Sequence, residues 1–375
     1  MTGQPEVTHH SSHRTLLANA EPGDDRTVDA VVVPAARPAH HLQTAMLLAK
    51  KLDAVLVMLC SGAADAKRAG SYANEVNGLR WLAIDIPKGY RLHLVRLETS
   101  FAEARTASDL SVKRNLGLLL ARQAGWQSLL FLDDDIVEVD AATVRAAARR
   151  LVPGGAVGIP AREFPDNSVV CHANRLVNPF QDVFVSGSAL IVDCGTIESF
   201  FPRIYNEDWL FLAPALARGA VSSVGRSVQL EYDPFGNPAR AKSEEFGDVL
   251  AEGLVALLHS GKSFDDADAD YWAIFLELRR QLVRRIKRDL RQCRMDFERN
   301  LKVRRSLWAA DRRRREITAD LLAAYVAAWQ ADRKAWRAAV EHLVPDRTVS
   351  FALATLGLAS TTIASSDVVA PVLQG

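Results

Sequence analysis

Apolar residues follow two alternating rhythms through the first half of the chain. Short uninterrupted runs have strand length: Val31-Val32-Val33 before Pro34, Ala54 to Cys60, Trp81 to Ile86 before Pro87, and Leu129 to Leu132. Between them lie stretches with helical spacing, from about His40 to Lys51 and from Asp109 to Gln123. The second carries Leu110, Val112, Leu116, Leu119 and Leu120 and is stopped by Gly125. Runs without polar alternation predict strands buried on both faces, and strand–helix–strand repetition predicts parallel pairing under covering helices. The expected fold class is therefore α/β, with a site in the loops at the C-terminal ends of the strands.

Beyond residue 135 the rhythm is mixed. Val157-Gly158-Ile159-Pro160, Val183-Phe184-Val185 and Ala189 to Val192 have the length of short strands, and Ser186-Gly187-Ser188 reads as a tight loop between the last two. From about Ala267 to His342 there are few glycines or prolines and long helices are predicted, with a cluster of basic residues from Arg279 to Arg315. These shifts divide the chain into a polar tail at 1–26 read as disordered, an α/β domain at 27–245, a helical region at 246–345, and an Ala/Ser/Thr-rich tail at 346–375.

Composition narrows the picture. The 375 residues are 49% hydrophobic, enough for a substantial core, and 46 basic against 45 acidic side chains leave no global charge to attract nucleic acid. Cys60, Cys171, Cys194 and Cys293 are far apart without a C-x-x-C pair, which argues against a zinc site or disulfide framework and fits a reducing cytoplasm. The first 26 residues lack the apolar core of a signal peptide, and His9, His10 and His13 read as incidental. No stretch reaches the roughly 18 apolar residues of a membrane span.

The chemistry concentrates where Ser128-Leu129-Leu130-Phe131-Leu132 ends in Asp133-Asp134-Asp135. Adjacent carboxylates repel one another unless a cation neutralises them, so a bound Mg²⁺ or Mn²⁺ is the natural reading. An Asp-rich loop also serves as a helix N-cap, and a helix starts shortly afterwards at Asp140.

Read with its flanks, the triplet belongs to a longer arrangement: Lys113-Arg114-Asn115-Leu116-Gly117, then Gly125-Trp126, then Asp133-Asp134-Asp135. Further on come Phe184 to Val192, containing Ser186-Gly187-Ser188, and Tyr205-Asn206-Glu207-Asp208-Trp209-Leu210. This order resembles the GT-A glycosyltransferases of the family 2 type, in which an R-N-x-G helix leads to a strand ending in D-x-D and an E-D-W segment opens a later helix. The resemblance covers about Val28 to Gly225. It implies a mixed sheet flanked by helices, a nucleotide-diphosphosugar donor, Mn²⁺ or Mg²⁺, and transfer to an acceptor hydroxyl with inversion. It implies Asp135 as metal ligand with Asp133, which would also approach the nucleotide ribose beside Asp134. Asp208 becomes the base that takes the acceptor proton, and Glu207 orients the acceptor or supports the helix start. Lys113, Arg114 and Asn115 lie on the donor side, and Ser186 and Gly187 let backbone approach the donor sugar. The acceptor, whether a sugar, a lipid-linked molecule or another small molecule, is not readable. One departure is that no histidine follows between Gln229 and Phe246 as a further ligand. Glu231 or Asp233 are the substitutes, and His259 reads as structural.

Two other readings stay open. Asp133-Asp134-Asp135-Ile136-Val137 also matches the haloacid-dehalogenase phosphatase motif, with Asp133 as phosphoryl acceptor, although three predicted strands precede it. A GT-A-like domain could also serve as a binding or assembly module. For the basic helices the expectation is a solvated face, an oligomer contact, or docking on an anionic membrane surface or a polyanionic acceptor, with oligomerisation favoured for want of an aromatic edge. Pro34-Ala35-Ala36-Arg37-Pro38 lacks the glycines of a nucleotidyltransferase loop, and Ser260-Gly261-Lys262-Ser263 lacks the first glycine of a P-loop, having Ala256 there.

Overall fold

The computed structural model describes residues 7–369 apart from 10, 11, 20, 24, 100–107, 162–167, 179–182, 344, 346 and 347. Its strands are β1 Ala30–Ala35, β2 Val55–Cys60, β3 Trp81–Asp85, β4 Ser128–Leu132, β5 Ile136–Glu138, β6 Ala156–Gly158, β7 Ala189–Asp193, β8 Val221–Ser223, β9 Val228–Gln229 and β10 Thr362–Ala364. The α-helices are α1 Gln43–Leu52, α2 Ala66–Asn74, α3 Leu110–Ala124, α4 Ala141–Ala148, α5 Val169–Val177, α6 Glu207–Ala217, α7 Pro238–His259, α8 Ala269–Asp289, α9 Phe297–Arg314, α10 Ala319–His342, α11 Val349–Thr355 and α12 Ser366–Val369. Eight strands form one mixed sheet in the order β10-β3-β2-β1-β4-β7-β6-β8, and β5 with β9 forms a separate ribbon.

The uninterrupted apolar runs sit at the centre of this sheet, where β1, β2, β3 and β4 are mutually parallel. Alternate residues of β1 point to opposite faces, Val32 into one core cluster and Val31 and Val33 into the other, so every position in the run is buried. The C-terminal ends of these strands are thereby gathered on one edge. β7 runs antiparallel to β4, with Leu132 opposite Ala189, and this brings the loop that enters β7 to the exit of β4. Helix α3 lies directly on β1 and β4. A Cβ at Gly117 would come within 2.9 Å of the Phe131 ring and 3.0 Å of Val32, so the small residue permits the approach that carries Arg114 to the strand ends.

Three expectations are refined. Val183 to Val185 does not pair as a strand. Its backbone is instead satisfied by the N-terminal segment, where His13 N donates to Val183 O at 2.6 Å and Val185 N donates to His13 Nδ1 at 3.0 Å. The described part of residues 1–26 is accordingly anchored to the rest of the protein through its histidines: His13 is fully buried 4.2 Å from the Trp209 ring, and His9 pairs with Glu252. A polar sequence read as a tail gains order because its histidines find apolar and acidic partners far along the chain.

The helical region, which looks separable by composition, shares its core with the sheet. Phe246, Trp272, Tyr325, Trp329 and Trp336 belong to the same buried cluster as Val32 and Phe131, and β10 extends the sheet edge beside β3. Part of the basic run is buried and neutralised. Arg279, with no exposure, contacts Glu245 and Asp248 at 3.1 Å and Glu252 at 2.6 Å, and Arg314 is paired with Asp311. Isolated charges could not be buried so deeply, so the acids of α7 are the reason Arg279 lies inside. No helix among the described residues is long and apolar enough to cross a membrane.

Candidate active site

The exit of β4 places three carboxylates in three different environments. Asp133, whose N–H is fixed by Ser188 O at 2.8 Å, accepts from Arg114 Nη2 at 2.9 and 3.1 Å. Asp134 turns the other way: its Oδ2 accepts the backbone N–H groups of Ala36 and Arg37, both at 2.7 Å, and its Oδ1 pairs with the Arg37 guanidinium. It thereby clamps the loop after β1, a structural role that explains its burial. Asp135 Oδ2 accepts from Arg37 Nη2 at 2.9 Å and from Gln229 Nε2 at 3.3 Å.

A second acidic pair comes from the first turn of α6. Arg114, buried on α3, bridges the two groups by donating from Nη1 to Glu207 Oε1 at 2.6 Å while Nη2 holds Asp133. The guanidinium lies flat against the loop entering β7, where a Cβ at Gly187 would sit 2.4 Å from Nη1. Asp208 Oδ2 accepts Gly187 N at 2.6 Å and its Oδ1 accepts Trp209 N at 2.9 Å, so the helix start and the loop are locked together. Ser186 and Ser188 share a hydroxyl hydrogen bond of 2.8 Å. Asp133, Glu207 and Asp208 thus surround one cation, and burial outweighs its attraction. It pushes Asp133 up to about 7 and Glu207 up to about 8.

Asn206 precedes this pair in the left-handed conformation, φ 58°, which is uncommon outside glycine. Its side chain donates to Asp248 Oδ1 at 2.8 Å, and Asp248 also belongs to the buried Arg279 cluster. The helical region therefore holds the backbone turn that aims Glu207 and Asp208. These groups open onto a cleft of about 260 Å³, lined on its remaining sides by Ser108, Tyr205, Arg240 and Glu244 among others.

Of the residues expected at the site, Arg114, Asp133, Ser186, Gly187, Glu207 and Asp208 come together. Lys113 does not reach the cleft: its buried ammonium donates to Ala35 O and Ser61 Oγ, both at 2.7 Å, and pairs with Asp109 at 3.2 Å, tying the ends of β1 and β2. Asn115 clamps the Phe201 backbone through two hydrogen bonds of 2.8 Å. Asp233 lies against Lys302, 3.6 Å away, and His259 contacts Ser12 and Thr15 of the N-terminal segment.

Asp133 and Asp135 face different arginines and are not paired on a common point, and no group of three or more His, Cys, Asp or Glu side chains among the described residues is arranged to hold a metal. Two oxygens nevertheless suit a hard cation. Asp135 Oδ1 and Gln229 Oε1 are both buried without a hydrogen-bond partner, on side chains that touch each other. A carboxylate plus a carbonyl oxygen is the type of donor set that Mg²⁺ or Mn²⁺ completes with water and phosphate oxygens. Arg37 and Gln229 were not legible as site residues. The first lay in a loop read only for missing glycines. The second reaches Asp135 because β9 pairs with β5, where Ile136 faces Gln229.

No protein-family model matches the chain, and no curated protein matches it. Among solved structures, the chain is similar to a mannosyltransferase from Pyrobaculum calidifontis, determined in complex with GDP-mannose and Mn²⁺, at 15% identity over 84% of this chain and 89% of that one, with a TM-score of 0.45.

Proposed function

We propose that the protein is a glycosyltransferase of GT-A type that moves a sugar from a nucleotide-diphosphosugar donor to an acceptor hydroxyl with inversion. The observation that carries this reading is the convergence of Asp133, Glu207 and Asp208 on Arg114 in one cleft at the strand ends. A half-buried Asp133 and the buried Glu207 and Asp208 gathered around a single arginine weaken the fold, and a chain kept only for binding or assembly has no need of them.

In this reading Asp208 takes the proton of the acceptor hydroxyl. Two backbone N–H groups fix its carboxylate and leave lone pairs over for the incoming proton. Arg114 and Glu207 act as a positioning pair, and Gly187 lets the backbone lie close to the donor sugar. Arg37 supplies positive charge beside Asp134 and Asp135, where the diphosphate would rest. Asp135 and Gln229 would hold a divalent cation, which when bound neutralises charge developing on the departing diphosphate.

The phosphatase reading is disfavoured by Asp133 itself. Both its oxygens accept from the Arg114 guanidinium, so neither is left free to attack a phosphoryl group.

The test is release of nucleoside diphosphate from a panel of nucleotide sugars, which water alone can elicit without knowing the acceptor. Asp208→Asn should lower release by about 10² to 10⁴, the usual worth of a general base. Undiminished release in the variant would move the role elsewhere, and no release from any donor by the parent protein would count against transfer altogether.

A further inference from the structure

Helix α9 packs one side against the rest of the protein through Val303, Ser306, Leu307 and Ala310, all buried. Its opposite side holds large apolar groups in water: Phe297 is 83% exposed, Trp308 57% and Leu301 36%. At 100° per residue these three fall within about 40° of one another, and Arg304, Arg305 and Arg312 lie on the same stripe. Arg304 and Arg305 make no ion pair among the described residues, and Arg312 sits over the Trp308 ring at 5.6 Å. Glu298, at the margin of the stripe, is offset by Lys302 at 3.5 Å.

We propose that this face of α9 docks on an anionic lipid surface, with Phe297, Leu301 and Trp308 entering the headgroup boundary and Arg304, Arg305 and Arg312 contacting phosphates. A helix with exposed Trp, Phe and Leu among cations, too polar to span, is the composition of an interfacial helix. The aromatic edge that the sequence did not reveal is formed by residues four and seven apart along one helix. A second copy of the chain fits this face poorly, because a self-complementary contact would set the same arginines against each other. The near-zero net charge of the whole protein also gives no general affinity for polyanions, so attraction must come from this stripe. The assignment is independent of sugar transfer. Because α9 packs along α7, which contributes Arg240 and Glu244 to the cleft, docking would also hold the cleft close to the membrane.

The experiment is co-sedimentation of the full chain with phosphatidylcholine vesicles, with and without phosphatidylglycerol. The parent protein should partition onto the anionic vesicles and be released by salt, since exposed charges are screened within about 10 Å at 0.1 M. The pair Arg304→Glu and Arg305→Glu should reduce partitioning by about thirtyfold or more, at roughly fivefold per cation lost. Phe297→Ser with Trp308→Ser should abolish it. Because every altered side chain is exposed, thermal unfolding should be unchanged in both variants. The difference in emission between the parent and Trp308→Phe should shift to shorter wavelength on adding anionic vesicles. Equal sedimentation of parent and variants, an unmoved Trp308 spectrum, or no sedimentation would overturn the proposal. So would a parent dimer that the variants dissociate, or tighter binding to single-stranded RNA than to vesicles.

Discussion

Replacing Arg114 with methionine removes the cation shared by Asp133 and Glu207 while filling most of its volume, and the consequence should depend on pH. In the parent protein both acids lie above their ordinary values, 3.8 and 4.5, at about 7 and about 8. The native state therefore binds more protons than the unfolded chain between about pH 4 and 8. Stability falls as pH rises through that window. Arg114 moderates the fall because its charge holds both acids lower than burial alone would. Without it both move further up, and above pH 8 the variant must either keep protons that solvent would take or bury unpaired charge. Near pH 5, where both acids are neutral in the variant, the loss should be about 2 kcal/mol, the worth of the broken hydrogen bonds to a charged donor. Near pH 8.5 it should reach about 3 to 5 kcal/mol, as for a buried pair broken from one side. Urea unfolding followed by circular dichroism across this range provides the measurement. A loss that is the same at both pH values, or larger in acid, would refute the coupling of these three side chains.

Gly187→Ala puts a methyl group where the Arg114 guanidinium lies, 2.4 Å from Nη1, and should destabilise by about 1 to 3 kcal/mol while weakening nucleoside diphosphate release about 10²-fold, read by chemical denaturation and by the release assay. Asp248→Ala removes the support of the left-handed Asn206 turn. Turnover should fall about 10- to 10²-fold with little change in donor KM, and Asp248→Asn, which keeps an acceptor for Asn206, should recover most of it.

The central sheet was legible because a strand buried on both faces must be apolar throughout: β2, β3 and β4 follow runs that stand out in the sequence, while β1 does not stop at Pro34 as expected but carries it in the strand beside Leu59 and ends at Ala35. The triplet at the end of β4 was legible for a related reason, since charge at the end of an apolar run marks where the strand ends, whereas the acidic start of α6 was legible only through its resemblance to the E-D-W segment of the GT-A family. What could not be read was pairing across distance. The antiparallel β7, which brings Gly187 to Arg114, and the short β5–β9 ribbon, which brings Gln229 to Asp135, leave no periodic trace. Lys113 and Arg114 are adjacent on one helix, yet one ties two strand ends and the other faces the cleft. The buried Arg279 looked like its solvated neighbours because its three acidic partners lie on another helix.

The most direct test of the donor site is calorimetric titration of UDP- and GDP-sugars into the protein, with Mn²⁺, with Mg²⁺ and with EDTA, repeated for Asp135→Ala. At least one donor should bind far more tightly with a divalent cation than with EDTA, and the substitution should remove the difference, because Asp135 Oδ1 is the buried carboxylate oxygen that the proposed cation site would use. Absence of binding by every donor in the parent protein, or identical affinities with and without cation, would contradict it.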